Sequence, residues 1–246
     1  MADLGPPEVR LWQWLETGAR RVLELYRIEE LRTPILERTS LFTRAIGEET
    51  DVVQKEMFTF EDRGGRSITL RPEGTAGAIR ALCHSGAEAG ARVFYLGPMF
   101  RAERPQAGRR RQFHQLGVEM LGPPSPEADA ECIALMRRLL EVWGLSDARL
   151  RLHTRGTAAD QPAVREGLRR RLEEVRDALC EDCRRRCDRQ PLRVLDCKQP
   201  GCQQIIAGLP ALTAYLSEDS RGYLERVAAL LNALKIEATV DGRLVR

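Results

Sequence analysis

No apolar run in the sequence approaches the roughly 20 residues that a bilayer-spanning helix needs, so a membrane-embedded role is set aside. The opening residues, MADLGPPEVR, lack the basic and apolar regions of a secretory signal, and a cytoplasmic location is expected. Net charge is small: 39 Lys and Arg against 36 Asp and Glu leave +3, too little to argue for nucleic-acid binding without local clustering. Internal repeats and low-complexity tracts are absent, which leaves ordinary globular units. Histidines number three and lie scattered. Of these only His114 is near the residues singled out below, and strand alternation turns it to the opposite face, a structural position. Seven cysteines without an export signal read as thiols or metal ligands in a reducing compartment, not as disulfides.

What is present suffices for one good-sized domain or two smaller ones. Leu11, Leu15, Ala19, Val22 and Tyr26 make one helical stripe entered at Pro6 and Pro7. ELRTPILE reads as a short strand in which Pro34 removes a donor, so it belongs at an edge or an interface. GGRSITLRPEGT predicts a turn, a strand broken at Pro72, and a helix over 75–84. Residues 93–103 and 112–121 predict a hairpin with a long polar tip. SPEADAECIALMRRLLEVWG predicts a helix with Ser125 as cap, Pro126 at its first position and Gly144 as stop. Beyond it, 161–180 reads as a charged helix with Val164, Leu168, Leu172, Val175 and Leu179 inward. One or two more helices follow to about residue 234, then the strand IEATV. Residues 1–156 are thus expected to form a sheet domain, 157–235 an inserted helical module, and 236–246 a return strand to the sheet domain.

The stretch FRAERPQAGRRRQFHQLGVE raises the functional question. Five arginines fall within residues 101–111, ahead of an alternating strand that ends in a carboxylate. Alternation puts Leu116, Val118 and Met120 on one face and Phe113, Gln115, Gly117 and Glu119 on the other. On the partner strand Tyr95, Gly97, Met99, Arg101 and Glu103 share a face. Charged groups in mid-strand are costly when buried unpaired, so this face should line a cleft or be fully paired. The arginine-rich tip suits phosphate, which guanidinium groups bind bidentately, and Phe113 offers a ring for stacking on a base. The competing reading of the same residues is a solvated hairpin tip.

The identities of these residues resemble histidyl-tRNA synthetase, a class II aminoacyl-tRNA synthetase. GPMFRAERPQAGRRRQFHQLGVE is similar to motif 2, LRTPILE to motif 1 with its dimer-interface proline, and TLRPEGT to the histidine-binding loop. LRVLDCK and RLVR resemble later segments, so the likeness runs from about residue 7 to 246. It implies an α+β fold: a class II synthetase-type antiparallel sheet flanked by helices, with an inserted helical module. It also implies ATP-dependent activation of histidine and transfer to tRNA(His), with Mg²⁺ bridging phosphate oxygens, in a homodimer. By the same resemblance Arg101 and Arg246 would be catalytic. Glu73, Thr75, Arg101, Gln115 and Glu119 would bind histidine, and Arg101, Glu103, Arg109 and Phe113 would bind ATP. Arg104 and Gln106 would touch the tRNA acceptor stem.

The chain departs from the family pattern in places. Beyond RLVR the resemblance leads one to expect a GLDYY-like segment, motif 3 and an anticodon-binding domain, and before LGPPE an RGTxD segment. The chain is therefore expected to be a fragment, without appreciable histidine activation by itself. Arg110 stands where an aromatic is common, and LHTRGT departs from a serine- or asparagine-containing turn. Two other readings stand beside the ligase: a non-catalytic, histidine-sensing regulatory subunit of histidine biosynthesis, and a plain RNA-binding module. The three arginines Arg101, Arg109 and Arg246 disfavour the former, and TLRPEGT and Glu119 the latter. Finally, Cys180, Cys183, Cys197 and Cys202 could form a four-thiolate zinc site, with Cys187 a further candidate. The second pair is wider than the common knuckle, and thiols without metal are the expectation, with no metal assigned to the site.

Overall fold

The computed structural model describes residues 3–48, 50–86, 90–104, 106 and 108–243. In chain order its elements are α1 (Pro6–Leu25), β1 (Glu29–Glu30), β2 (Leu36–Arg38), α2 (Thr39–Ile46), β3 (Thr59–Glu61), β4 (Ser67–Leu70), α3 (Thr75–Ser85), β5 (Arg92–Phe100) and β6 (Gln112–Met120). Then come α4 (Pro126–Val142), β7 (Leu150–Leu152), α5 (Gln161–Glu174), α6 (Glu181–Arg189), α7 (Pro200–Ala207), α8 (Glu218–Ala233) and β8 (Ala238–Val240). A π-helical turn covers Val52–Glu56, and short 3-10 turns cover Arg176–Ala178, Pro191–Val194 and Leu212–Tyr215. Two compact units result, Met1–Pro124 with Leu135–Leu145, and Ser125–Ala134 with Ser146–Arg246.

In the first unit two prolines open α1, where a fixed φ and a missing N–H cost nothing. Of the expected stripe Ala19 and Val22 are buried, joined by Leu23 in place of Leu11, which is exposed, and they pack on Phe94, Leu135 and Leu139, with Leu96, Leu116, Val118 and Met120 alongside. The indole N–H of Trp143 donates to the Leu15 carbonyl at 3.0 Å. ELRTPILE does not run as one strand. It divides around Pro34 into β1, parallel to β5, and β2, antiparallel to β4. Each piece is the edge of its three-stranded sheet, the orders being β1-β5-β6 and β2-β4-β3. A residue without an N–H interrupts a ladder, so the break falls where the donor is lost. Residues 39–61, without a clear period in sequence, supply α2, the π-helical turn and β3.

The strand expected to return to the sheet domain lies instead in the second unit, where it pairs in parallel with β7, Leu150 to Leu152 against Ala238 to Val240. Ser125 caps α4 by accepting from the Ala128 amide at 3.0 Å, and Gly144, φ +79°, ends it. The expected 161–180 helix ends at Glu174 and continues as a 3-10 turn, which still brings Leu179 into the core with Val164, Leu168 and Leu172. That core also takes in Val194, Ile206, Leu212 and Leu216. A smaller one joins Ala130, Leu152, Val227 and Leu231.

Asp160 ties this unit together. One carboxylate oxygen accepts from the Ser217 amide at 2.7 Å, at the start of α8. The other accepts from the Ser220 hydroxyl and the Thr157 amide, both at 2.7 Å, and from the Thr157 hydroxyl at 2.9 Å. These donors, led by Ser220, hold the carboxyl well below the usual carboxylate range. A depressed folded pKa stabilises the fold above the unfolded value of about 3.9 and loses that stabilisation as pH falls toward the folded value. Asp160→Asn is therefore expected to lower the melting midpoint at pH 7, and the gap from wild type should narrow below about pH 4. Thermal unfolding of both proteins across pH 7 to 3 checks this, and a gap independent of pH would contradict it.

Candidate functional site

The site begins with the pairing of β5 and β6, Arg92 opposite Met120 through Phe100 opposite Gln112. In that register Tyr95 faces Gly117, Gly97 faces Gln115, Met99 faces Phe113 and Val93 faces Glu119. Paired residues share a face, so Gln115 and Glu119 stand on one side with Tyr95 and Met99. The opposite side carries Phe94, Leu96, Leu116 and Val118 in the core with α1. His114 belongs to that opposite side, its ring centroid 4.3 Å from that of Trp12. It is a packing residue, as alternation requires.

TLRPEGT lies against this face. Arg71 is buried, its Nε donating to the Pro98 carbonyl at 2.9 Å and its Nη1 to the Thr33 carbonyl at 3.0 Å. It thereby pins the segment to β5 and to the residue just before Pro34. The Glu73 carboxylate accepts the amides of Thr75 at 2.7 Å and Ala76 at 2.8 Å, capping α3, and the Gly74 amide donates to Gln115 Oε1 at 3.1 Å. Between the loop and β6 sits the Tyr95 ring. A Cβ on Gly74 or Gly117 would fall within that ring, so both positions must be glycine for the ring to lie there. The Thr75 and Tyr95 hydroxyls are 3.3 Å apart, and both reach the Glu119 carboxylate. Burial pushes the Glu119 carboxyl above the usual range and the Glu73 charge adds to this, while the Thr75 hydroxyl opposes it. Burial likewise raises the Tyr95 phenol.

The ladder ends at Phe100, so Arg101 and Glu103 lie in the hairpin loop and not on the expected strand to residue 103. The Arg101 Nε donates to the Pro72 carbonyl at 3.0 Å, and its guanidinium lies 5.3 Å from the Phe113 ring centroid. The Glu103 carboxylate pairs with Arg109 at 3.3 Å and lies 3.9 Å from the Arg101 guanidinium. Gln106 and Arg109 exchange backbone hydrogen bonds at the tip, where Arg104 is exposed. Glu56, which sequence reading did not single out, ends the π-helical turn, and its backbone carbonyl accepts the Ala102 amide at 2.7 Å. Burial and then the Glu103 charge raise its carboxyl, against the pull of Arg101. No sequence period marks Glu56; it joins the site through a local backbone irregularity.

These pieces border a cleft of about 830 Å³, whose lining includes Glu73, Thr75, Arg101 and Gln115 from the expected residues, and Arg44 and His84 besides. Glu119 reaches the same place through Thr75. Glu103, Arg109 and Phe113 adjoin Arg101, and Arg104 and Gln106 lie farther out on the loop. Arg246 is outside the described residues. The cleft lining thus combines the Glu73 carboxylate with the guanidinium groups of Arg44, Arg80 and Arg101, a set of groups suited to a ligand with a cationic or N–H-rich part and an anionic part.

A second constellation lies in the second unit. The sulfurs of Cys180, Cys183, Cys197 and Cys202 all fall within 4.8 Å of one another, whereas Cys187 is buried apart from that group. The amide of Cys183 pulls the Cys180 thiol down to about 7, while burial pushes Cys183 and Cys202 up.

Known structures share this arrangement of elements. An apo histidyl-tRNA synthetase from S. aureus matches over all of this chain and 56% of its own, with TM-score 0.74 and 34% identity. An ATP phosphoribosyltransferase regulatory subunit/histidyl-tRNA synthetase from Bacillus halodurans C matches with TM-score 0.69 at 22% identity, a likeness of fold alone, over all of this chain and 67% of its own. The fold is α+β, the class II synthetase type with an antiparallel sheet flanked by helices. In sequence, the histidine–tRNA ligases of Synechococcus elongatus and Halorhodospira halophila are 51% and 50% identical to 99% and 100% of this chain. The family model for histidyl-tRNA synthetase covers residues 1–241, and the chain belongs to that family. It spans 57% and 58% of the lengths of those two relatives.

The Tyr95 wedge can be tested directly. Gly117→Ala is expected to destabilise the first unit by about 1–3 kcal/mol through overpacking. Gly222→Ala, on α8 with open space around it, should stabilise by about 0.5–1 kcal/mol. Denaturant unfolding of both variants measures this, and a neutral Gly117→Ala would refute the close approach.

Proposed function

We propose that the chain contributes the histidine- and ATP-binding part of a histidine–tRNA ligase, a cytoplasmic enzyme that forms histidyl-adenylate and passes histidine to tRNA(His). The observation that carries this reading is the single cleft bordered by Glu73, Thr75, Gln115 and Arg101. Glu73 and Glu119 would take the ammonium and imidazole N–H groups of histidine, with Thr75 and Gln115 beside them. Fixed donors and acceptors for both ends of an amino acid discriminate strongly, because a wrong ligand strands buried polar groups. Arg101 would hold the α-phosphate and the substrate carboxylate, Arg109 the γ-phosphate, and Glu103 and Phe113 the adenine. Arg246 would support the α-phosphate.

In this reading the histidine carboxylate attacks the α-phosphorus and pyrophosphate leaves. Little covalent work falls to the protein, so alignment and neutralisation of charge by Arg101 carry the rate. Mg²⁺ binds such sites mainly through substrate phosphates with one or two carboxylates, and Glu103 and Glu56 are the carboxylates beside the arginines. When bound, the ion would neutralise phosphate charge. Arg104 and Gln106, exposed on the loop, would meet the acceptor stem. We read 157–235 as the inserted module of the family. The exposed Ile35, Leu36 and Phe60, on and beside the edge-forming β2 and on β3, support a homodimer of the complete protein. A histidine-sensing regulatory subunit has no use for guanidinium groups at phosphate positions; Arg101 lines the cleft, and Arg109 is joined to it through Glu103.

Calorimetric titration with a non-hydrolysable histidyl-adenylate analogue tests the reading. Arg101→Ala and Glu119→Gln should each weaken binding about tenfold or more, equivalent to about 1.4 kcal/mol. Arg109→Ala should weaken ATP but leave the adenylate analogue within about twofold, since an adenylate has no γ-phosphate. Equal affinity for an alanyl-adenylate analogue, or none for the histidyl one, would overturn the assignment. We also propose that these 246 residues by themselves show no appreciable histidine-dependent ATP–pyrophosphate exchange; rapid exchange would contradict that. Binding of tRNA that falls steeply with salt and ignores histidine and ATP would favour an RNA-binding module instead.

A further inference from the structure

We propose that Cys180, Cys183, Cys197 and Cys202 form a structural zinc site in the second unit, contrary to the expectation of metal-free thiols. The argument begins with distances. A regular tetrahedron with zinc–sulfur bonds of about 2.3 Å has sulfur–sulfur edges of about 3.8 Å. The Cys180 and Cys197 sulfurs are 3.9 Å apart, and all four lie within 4.8 Å of one another. A disulfide would need about 2.05 Å, and all four cysteines are free. Four sulfurs converging within 4.8 Å from four separate positions, with no pair bonded, suit one soft, tetrahedral ion.

The surroundings match a closed, structural site. Cys183 and Cys202 are buried and Cys180 and Cys197 partly so. The backbone amide of Cys180 donates to the Cys202 sulfur at 3.2 Å, the kind of hydrogen bond that orients a thiolate ligand. Cys180 is the N-cap of α6 and Cys183 lies in its first turn, where the unpaired amides and the helix dipole favour negative sulfur.

The local fold also requires a staple. The side chains that α6 buries are Cys183 and Cys187, and the rest of its sequence, EDCRRRCDR, is charged. Its neighbours are a three-residue and a four-residue 3-10 turn and the eight-residue α7, all too short to hold themselves. A dication gripping Cys180 and Cys183 before and within α6, Cys197 in the following turn and Cys202 in α7 would fasten these pieces onto the Leu168–Leu172 core. Cys187 lies one turn beyond Cys183, outside the sulfur cluster, and serves as an internal control.

Elemental analysis of the purified 246-residue chain from zinc-supplemented cells is expected to give about one zinc per chain. Cys183→Ser should fall below about a tenth of an equivalent, while Cys187→Ser should retain the metal. Because Cys183 is buried and its substitution also perturbs folding, cobalt exchange into wild type and Cys187→Ser provides a second readout. Both should show thiolate-to-cobalt charge-transfer absorption and the intense visible bands of tetrahedral cobalt. A chelator should lower the melting midpoint of both. Zinc below about a tenth of an equivalent in wild type, before and after reconstitution, would overturn the proposal. So would iron in place of zinc, disulfides among the four cysteines, or metal lost from Cys187→Ser while Cys183→Ser keeps it.

Discussion

The register between β5 and β6 is the constraint on which the site depends. A slip of one residue would turn Gln115 and Glu119 toward α1 and bring His114 and Val118 into the cleft. What prevents the slip is the far side of the same strands, where Phe94, Leu96, Leu116, Val118 and Met120 pack with α1 and α4. Burying such a side chain contributes about 1.5–3 kcal/mol, so together they outweigh anything the polar face could recover by shifting. The greasy side of the hairpin therefore aims its polar side.

On that polar side, structure and chemistry divide between two kinds of arginine. Arg71 is buried, and its guanidinium is aimed at the carbonyls of Pro98 and Thr33, so it fastens loop to strand. Arg101 shares its environment with Pro72, Phe113 and Glu103 at the cleft, and Arg109 with Glu103 on the loop. Glu56 and Glu103 moderate the positive field that five arginines would otherwise create. Burial, and after it the charge of Glu103, raises the Glu56 carboxyl against the pull of Arg101.

The second unit solves a different problem. Its helices are highly charged, and its apolar core is assembled from short pieces. Polar groups stand where those pieces meet: the Asp160 carboxylate joins Thr157, Ser217 and Ser220 across 60 residues of chain, and four sulfurs converge beside α6.

Much of this was legible in the residues. The stripe of α1, the Ser125 cap, the Gly144 stop and the alternation of β6 all follow from local rules, because each depends on neighbours within a turn or a strand. The motif residues Glu73, Thr75, Gln115 and Arg101 came from the resemblance of TLRPEGT and the arginine-rich stretch to the synthetase family, and the cleft brings them together. Less legible were the division of ELRTPILE between two sheets and the π-helical turn that carries Glu56, since both are decided by partners distant in the chain. The sulfurs illustrate the difference best. Sequence by itself determined that four cysteines were available at a spacing a metal tolerates. Whether their sulfurs converge depends on how short helices pack onto Leu168 and Leu172, and only the tertiary structure decided that, because side-chain convergence is a property of packing in space and not of spacing along the chain.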